Sequence, residues 1–271
     1  MIRLATQEDR TTIERLCAKE PWDGTEVMTA YLSRCADTAQ VDWQYSDLWV
    51  GQSQTQKQNA QYLLCRIGQT YRMVGSPRSK ERWEELHQFL QMQPAGKLAG
   101  SAKLIDGYDL RFGQLPAVSH PSGPRMICQR LPDDVSESLV CPCESLGKVY
   151  DLLAQADPCF AKRHCKDDYL ARLLFLKRGG GQFFQLCVQD RTAAVGGILL
   201  PEGCDYGLIL NLCTLPEFRG QGLGGQLVSR LCLEAFWQGK TPLLDCADQQ
   251  LENFYQKLGF VTTSEWKSRQ L

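Results

Sequence analysis

Histidine is scarce in this chain, with three residues in 271. They are His87, His120 and His164, and none lies near Cys213, the one cysteine that will matter below. Charge of one sign is also missing. Thirty Lys and Arg against 31 Asp and Glu leave a net charge of −1, so no global field recruits nucleic acid or an anionic membrane. No apolar run approaches the roughly 18 residues of a membrane span. The opening stretch MIRLATQEDR carries charges where an export signal needs an apolar core. A soluble, cytoplasmic protein is therefore expected. With 43% hydrophobic and 23% charged residues, the composition is that of a globular chain and not of a disordered one.

Cysteine, by contrast, is plentiful, at thirteen residues. The number is odd, and Cys65, Cys187, Cys213 and Cys232 sit inside apolar stretches, where a free thiol acts as a small hydrophobe. The one cluster to weigh for metal is Cys141 and Cys143, with Cys159, His164 and Cys165 beyond. Structural zinc sites pair their ligands two to four residues apart on each side. Cys159 and Cys165 are too far apart for that, so no metal site is expected.

Periodicity divides the chain. Three prolines, a glycine and two serines in QLPAVSHPSGP interrupt any pattern over 114–124, which reads as a linker between a domain at 1–118 and another at 124–271. In the first, a strand is expected at 2–5. A helix capped by Thr6 or Asp9 follows, with Ile13, Leu16 and Cys17 at helical spacing. A second helix is expected near 25–36, strands at 47–51 and within 61–74, a helix over 79–90 and a strand over 97–105. In the second, helices are expected at 145–156 and 166–178, the latter stopped by Gly179-Gly180-Gly181. Strands 182–189 and 193–200 flank a turn at Asp190-Arg191. A strand at 206–214 leads through a glycine-rich loop to a helix at 221–237. Strand 242–246, a short helix ending at Gly259 and strand 260–266 complete a mixed α/β pattern.

The loop carries the chemistry. Gly220, Gly222, Gly224 and Gly225 are four glycines in six residues, between a strand and a long amphipathic helix. The first N–H groups of a helix lack partners within it, and its dipole places partial positive charge there. With side-chain bulk removed, those groups can close on a pyrophosphate. A Walker loop requires Gly-Lys-Ser/Thr, and no lysine is present. Gly220-Gln-Gly222-Leu-Gly224-Gly225 contains the dinucleotide spacing, with Asp245 where a ribose-binding acid would stand. However, Pro216-Glu-Phe-Arg219 separates strand from glycine, and too little chain follows to build that fold's sheet.

The stretch Leu212-x-x-Leu215-Pro216-Glu217-Phe218-Arg219-Gly220-x-Gly222-Leu223-Gly224 resembles the strand-to-helix motif of the GCN5-related N-acetyltransferases, the GNAT family. Asn253-Phe254-Tyr255-Gln-Lys257-Leu-Gly259-Phe260 is similar to the family's closing motif, and the spacing between the two also matches. Ile2-Arg-Leu-Ala-Thr6-x-x-Asp9-x-x-x-Ile13 resembles a second family start, although residues 1–120 contain no G-x-G. The resemblance implies the GNAT acyl-CoA N-acyltransferase fold, an α/β architecture with a mixed sheet, in two GNAT-like domains of which the first is degenerate. It implies acetyl-CoA as cosubstrate, and a small-molecule or peptide amine as acceptor. Leu212, Cys213 and Thr214 would pair through their backbone with the pantetheine arm. Arg219, Gly220, Gln221, Gly222, Leu223, Gly224 and Gly225 would hold the pyrophosphate. Tyr255 aligns with the tyrosine that protonates the departing thiolate. Asp248 stands where the family often has asparagine.

Direct transfer in a ternary complex is the expected chemistry, because Cys213 has no histidine near it in sequence to activate it as a nucleophile. An alkylammonium of pKa about 10.4 must lose a proton to react, an unfavourable gap of roughly 4 kcal/mol at neutral pH. Asp205, Tyr206, Asn211 and Glu217 lie near the cleft in sequence, and none is singled out as base. Two other classes fit part of the pattern: a non-catalytic acyl-CoA-binding or sensor module, and an interaction protein in which both halves have decayed.

Overall fold

The computed structural model describes residues 1–36, 46–52, 60–113, 121–130 and 140–271. The first half runs β1 (Ile2–Leu4), α1 (Arg10–Cys17), α2 (Pro21–Cys35), β2 (Ser46–Gln52), β3 (Ala60–Ile67), β4 (Thr70–Gly75), α3 (Lys80–Gln91), β5 (Lys97–Ser101), α4 (Ala102–Phe112) and β6 (Ser122–Cys128). The second runs β7 (Val140–Pro142), α5 (Leu146–Ala156), α6 (Phe160–Arg163), α7 (Lys166–Arg178), β8 (Gly181–Val188), β9 (Arg191–Leu199), β10 (Tyr206–Thr214), α8 (Leu223–Trp237), β11 (Thr241–Asp245), α9 (Gln249–Lys257) and β12 (Phe260–Gln270). The two halves repeat one order: a strand, helices, three strands, a helix, a strand, a helix, a strand.

Local chemistry explains where elements begin. Asp9 reaches back to accept from the Thr6 amide at 2.8 Å, the carboxylate half of a capping box, and α1 follows. Helix α2 starts earlier than expected because Pro21 occupies its first turn, where a missing N–H costs nothing. The alternating stretch 61–74 is a hairpin of β3 and β4. The strand expected over 97–105 stops at Ser101, whose hydroxyl caps α4 by accepting from Leu104 at 3.3 Å. Leu104, Ile105 and Tyr108 then turn inward at helical spacing. The β8–β9 turn falls on Gln189 and Asp190, both at positive φ, one residue before the expected pair and as a mirror-image hairpin turn requires. Strands β6 and β7 and the short α6 were not legible as elements, and residues 114–120 of the expected linker lie outside the described residues.

Among the described residues the strands form one twelve-stranded sheet of order β1-β2-β3-β4-β5-β12-β6-β11-β10-β9-β8-β7. Each half contains a single parallel pair, β4 with β5 and β10 with β11. The halves interlock through an exchange of strands. β12 lies between β5 and β6, so Trp266 faces Ser101 on one side and Gly123 on the other. β6 in turn pairs with β11, Arg125 facing Asp245. Helix α2 crosses the junction: Val27 and Met28 share one buried core with Leu173 and Phe175 of α7 and Leu199 of β9. Separate cores lie under α3 and α4, and under α8 and α9. Pulling the halves apart would break strand pairing and expose the shared core.

Candidate functional site

The site forms where β10 leaves β11. The two strands pair from Tyr206 opposite Thr241 to Ile209 opposite Leu244. β11 then ends at Asp245, whereas β10 runs on to Thr214, held only by β9. A bulge between Leu210 and Cys213 interrupts that second pairing, with Asn211 at φ +55°, a conformation that costs a non-glycine residue free energy. Among the described residues no strand pairs with the β11-facing edge of β10 past Ile209. That stretch includes Leu212, Cys213 and Thr214.

Past Thr214 the chain makes a short 3₁₀ turn over Pro216–Phe218 and reaches the loop. Gly220 and Gly222 adopt φ +77° and +78°, and a Cβ at either would meet nothing within 4 Å. Glycine is required there by backbone conformation and not by crowding. Gly222 is the N-cap of α8. Among the described residues, the amides of Gly220, Gln221, Gly222, Leu223, Gly224 and Gly225 have no acceptor within the protein; the first amide bonded in this turn is Gln226, to Gly222. The turn is braced from outside. Arg219 Nε donates to the Thr214 carbonyl at 3.1 Å, Gln221 Nε2 to the Glu217 carbonyl at 3.3 Å, and Glu217 pairs with Arg191 at 3.0 Å. Arg219 thus ties the loop to the strand end.

Tyr255 lies on α9, buried against Phe254 and Phe260 with ring centres 5.1 and 5.8 Å away. Among the described residues its hydroxyl makes no hydrogen bond. Burial pushes its pKa up, and Cys246 and Asp248 push it further. Asp248 is the N-cap of α9, accepting from the Leu251 amide at 2.9 Å, a role that suits a carboxylate as well as asparagine. The Cys213 thiol is pushed up to about 11 by burial, which the nearby Arg219 only partly offsets; it is not a thiolate at neutral pH.

The other acids near this loop in sequence part company in space. Asp205 precedes the first residue of β10 and is exposed, at the far end of the strand from the loop. Glu217 is spent on Arg191. Asp245 is no ribose ligand: it accepts from Arg125 Nε at 3.2 Å. Arg125, only 2% exposed, is also held by both oxygens of Asp23 at 2.9 Å. Arg72 reaches Asp23 at 3.1 Å and Glu26 at 2.6 Å. Burial raises the Asp245 pKa against the pull of Arg125 and Arg72. The first half thereby supplies Asp23, Glu26 and Arg72 to a buried charge network at the end of β11. This network was not anticipated from sequence; the available signal was Asp23 and Glu26, two acids three apart on the buried helix α2.

Cys141, Cys143, Cys159, His164 and Cys165 do not converge. Cys143 Sγ donates to the Ser145 carbonyl at 3.1 Å, while His164 packs on Phe160 and Tyr169. Among the described residues no three His, Cys, Asp or Glu are grouped to hold a metal ion. No helix is long and apolar enough to cross a membrane.

In the first half the equivalent turn, between β4 and α3, differs. Pro77 has no amide to offer, and the Ser79 hydroxyl takes the Arg82 amide at 3.4 Å, occupying one of the groups that the second half leaves free.

Residues 180–262 match the acetyltransferase (GNAT) domain. No curated protein sequence matches the chain. Among solved structures, a Drosophila protein superimposes with a TM-score of 0.69 at 14% identity, over 100% of this chain and 98% of that one. A tandem GNAT protein from the clavulanic acid biosynthesis pathway gives 0.62 at 11%, over 100% and 98%. A GCN5-related N-acetyltransferase from Sphaerobacter thermophilus gives 0.55 at 12%, over 100% and 95%. At these identities the likeness is one of fold. The fold is that of the GNAT acetyltransferases. This chain has a tandem GNAT fold; its C-terminal half includes the segment that matches the acetyltransferase (GNAT) domain, and the β4–α3 turn of its N-terminal half lacks the glycine loop.

Proposed function

We propose that the protein transfers the acetyl group of acetyl-CoA to a primary amine, directly and in a ternary complex. The observation that carries this reading is the free edge of β10 leading into six unpartnered amides at the head of α8. Amides from Gly220 to Gly225, reinforced by the helix dipole, would hold the pyrophosphate, and Arg219 fixes their position through Thr214. The backbone of Leu212, Cys213 and Thr214 would pair with the pantetheine arm as an added strand does. When bound, acetyl-CoA supplies an activated acyl carbon, whose C–S bond is exchanged for the C–N bond of an amide.

Tyr255 holds the proton needed by the departing sulfur. Its raised pKa keeps Oη protonated; since even an ordinary phenol, at about 10, is a weaker acid than a thiol near 8.5, the proton moves to the sulfur only as the C–S bond breaks and charge builds there. Cys213, held as a neutral thiol, does not carry the acyl group. The N-terminal part, residues 1–118, binds no second acetyl-CoA and instead walls the acceptor side.

Thiol release from acetyl-CoA on addition of a panel of amines tests the proposal. Amine-dependent release supports it; tight acetyl-CoA binding with no release would make the chain a sensor, and no binding would leave only an interaction role.

A further inference from the structure

On the sheet face covered by α2 and α7, one at the bulge of β10 and one on α7, two buried donors have no acceptor among the described residues. One is Asn211 Nδ2 and the other Arg172 Nε. Both are set by Tyr169. Its hydroxyl donates to Asn211 Oδ1 at 2.7 Å, which fixes the amide so that Nδ2 is the end left over. Its ring lies 6.0 Å from the Arg172 guanidinium carbon. The acid nearest Arg172 is Glu26, at 3.7 Å, beyond hydrogen-bond reach, and Glu26 already lies 2.6 Å from Arg72. About a third of the Arg172 side chain remains exposed, so a ligand can reach it. A buried donor left unmet costs about 1–3 kcal/mol, and guanidinium cannot escape by losing its proton.

Other basic side chains stand near Arg172. Lys97, on β5 of the other half, has its pKa lowered by burial and then by Arg72 and Arg172. That of His164 is lowered by burial and then by Arg172, Arg163 and Lys97. Arg72 and Arg163 are paired with Glu26 and Asp157 at 2.6 and 2.5 Å and the lowered pKa leaves His164 neutral at pH 7, so the uncompensated charge here is that of Lys97 and Arg172, with Glu26 the acid closest to Arg172. Such an arrangement suits an anion with paired oxygens. It adjoins the edge of β10 along which acetyl-CoA is proposed to lie.

We infer that the acceptor is a small primary amine bearing a carboxylate close to the amino group, of the α-amino acid type, with the carboxylate held by Arg172 and Asn211. The inference rests on the acetyl-transfer reading above and names the class of acceptor. Arg172 acts in binding: it positions the amine at the bulge and takes no part in bond exchange.

The test compares glycine and alanine with methylamine and ethylamine, their decarboxylated counterparts, and with aminomethylphosphonate, on the full chain with saturating acetyl-CoA. The amino acids should exceed the plain amines in kcat/KM by roughly 10–100-fold, the span of a hydrogen bond to a charged group, with the difference mostly in KM. Arg172→Ala should erase that preference, and Arg172→Lys should restore part of it. Equal use of amino acids and plain amines, or a preference that survives Arg172→Ala, would overturn the inference while leaving acetyl transfer intact. Preference for the phosphonate would overturn the carboxylate assignment alone. Should no amine release thiol, the transferase reading fails, and the site is read by thermal shift with glycine and alanine in the presence of CoA. A shift lost in Arg172→Ala supports it, and no shift in the unmodified protein overturns it.

Discussion

The indole Nε1 of Trp22 donates to the carbonyl of Leu244 at 3.1 Å, joining the first turn of α2 to the end of β11. The bond links the two halves at the point where β10 and β11 part. Beside it, the guanidinium carbon of Arg125 sits 5.5 Å from the Trp22 ring. The N-terminal half is therefore packed into the C-terminal half where these strands part, and is not an independent neighbour.

Arg125→Ala should destabilise the protein by about 3–5 kcal/mol, because Asp23 and Asp245 would lose the cation that compensates them in a buried setting. Arg125→Met, with similar volume, leaves the same two carboxylates to Arg72 alone and should be nearly as harmful. Urea unfolding at neutral pH measures both. A loss below 1 kcal/mol for either would mean that water reaches this network freely.

Gly222→Val should abolish the response to acetyl-CoA. For the unmodified protein, ligand at a hundredfold over Kd should add about 2.7 kcal/mol of stability, seen as a higher melting temperature. Valine resists φ near +78°, so the turn would rearrange and its amides lose their common aim. A variant that responds like the original would place the phosphates elsewhere.

One acetyl-CoA should bind per chain. The β4–α3 turn has Pro77 and the self-capping Ser79 in place of glycines, and titration calorimetry counts the sites directly. Two equivalent sites would contradict the division of labour between the halves.

Acid should weaken the N-terminal edge through Asp9. Its hydrogen bonds from Arg3, at 2.6 and 2.7 Å, hold its pKa below the usual carboxylate value despite burial. The folded pKa is lower than the unfolded one, so the contribution is complete above the unfolded value of about 3.9 and is lost as pH falls through the folded value. Melting temperatures followed from pH 6 downward should therefore fall less steeply for Asp9→Asn than for the unmodified protein. Parallel slopes would remove Asp9 from the acid response.

Tyr255→Phe should lower kcat by about 10²–10⁴-fold, the range of general acid–base help, with acetyl-CoA affinity and fold retained. A packing role alone predicts an unchanged rate for Tyr255→Phe and a loss of about 3–5 kcal/mol for Tyr255→Ala. Steady-state kinetics with any accepted amine separates the two.

Much of the second half was legible because its signals are local. Apolar residues at helical spacing, glycines at the ends of α7 and α9, and the loop at 219–225 all act over a few residues. Strands β6 and β7 were not legible. β6 carries Gly123 and Pro124 and is a strand only because β11 and β12 flank it, from far along the chain. The same holds for the charge network between the halves. Asp23, Arg72, Arg125 and Asp245 meet only after two halves exchange strands, and no short window of sequence encodes that meeting. Ser101 was readable as a cap in principle, but the apolar run around it imitates a continuing strand.

The central claim is that the free edge of β10 and the amides of Gly220 to Gly225 form the seat of acetyl-CoA. A crystal structure of the full chain with acetyl-CoA tests it most directly. The account predicts pyrophosphate oxygens accepting from those amides, the pantetheine arm alongside Leu212, Cys213 and Thr214, and the sulfur facing Tyr255. Phosphates found instead in the cavity of about 540 Å³ lined by Arg78, Lys80, Trp83 and Arg111 of the first half would contradict it.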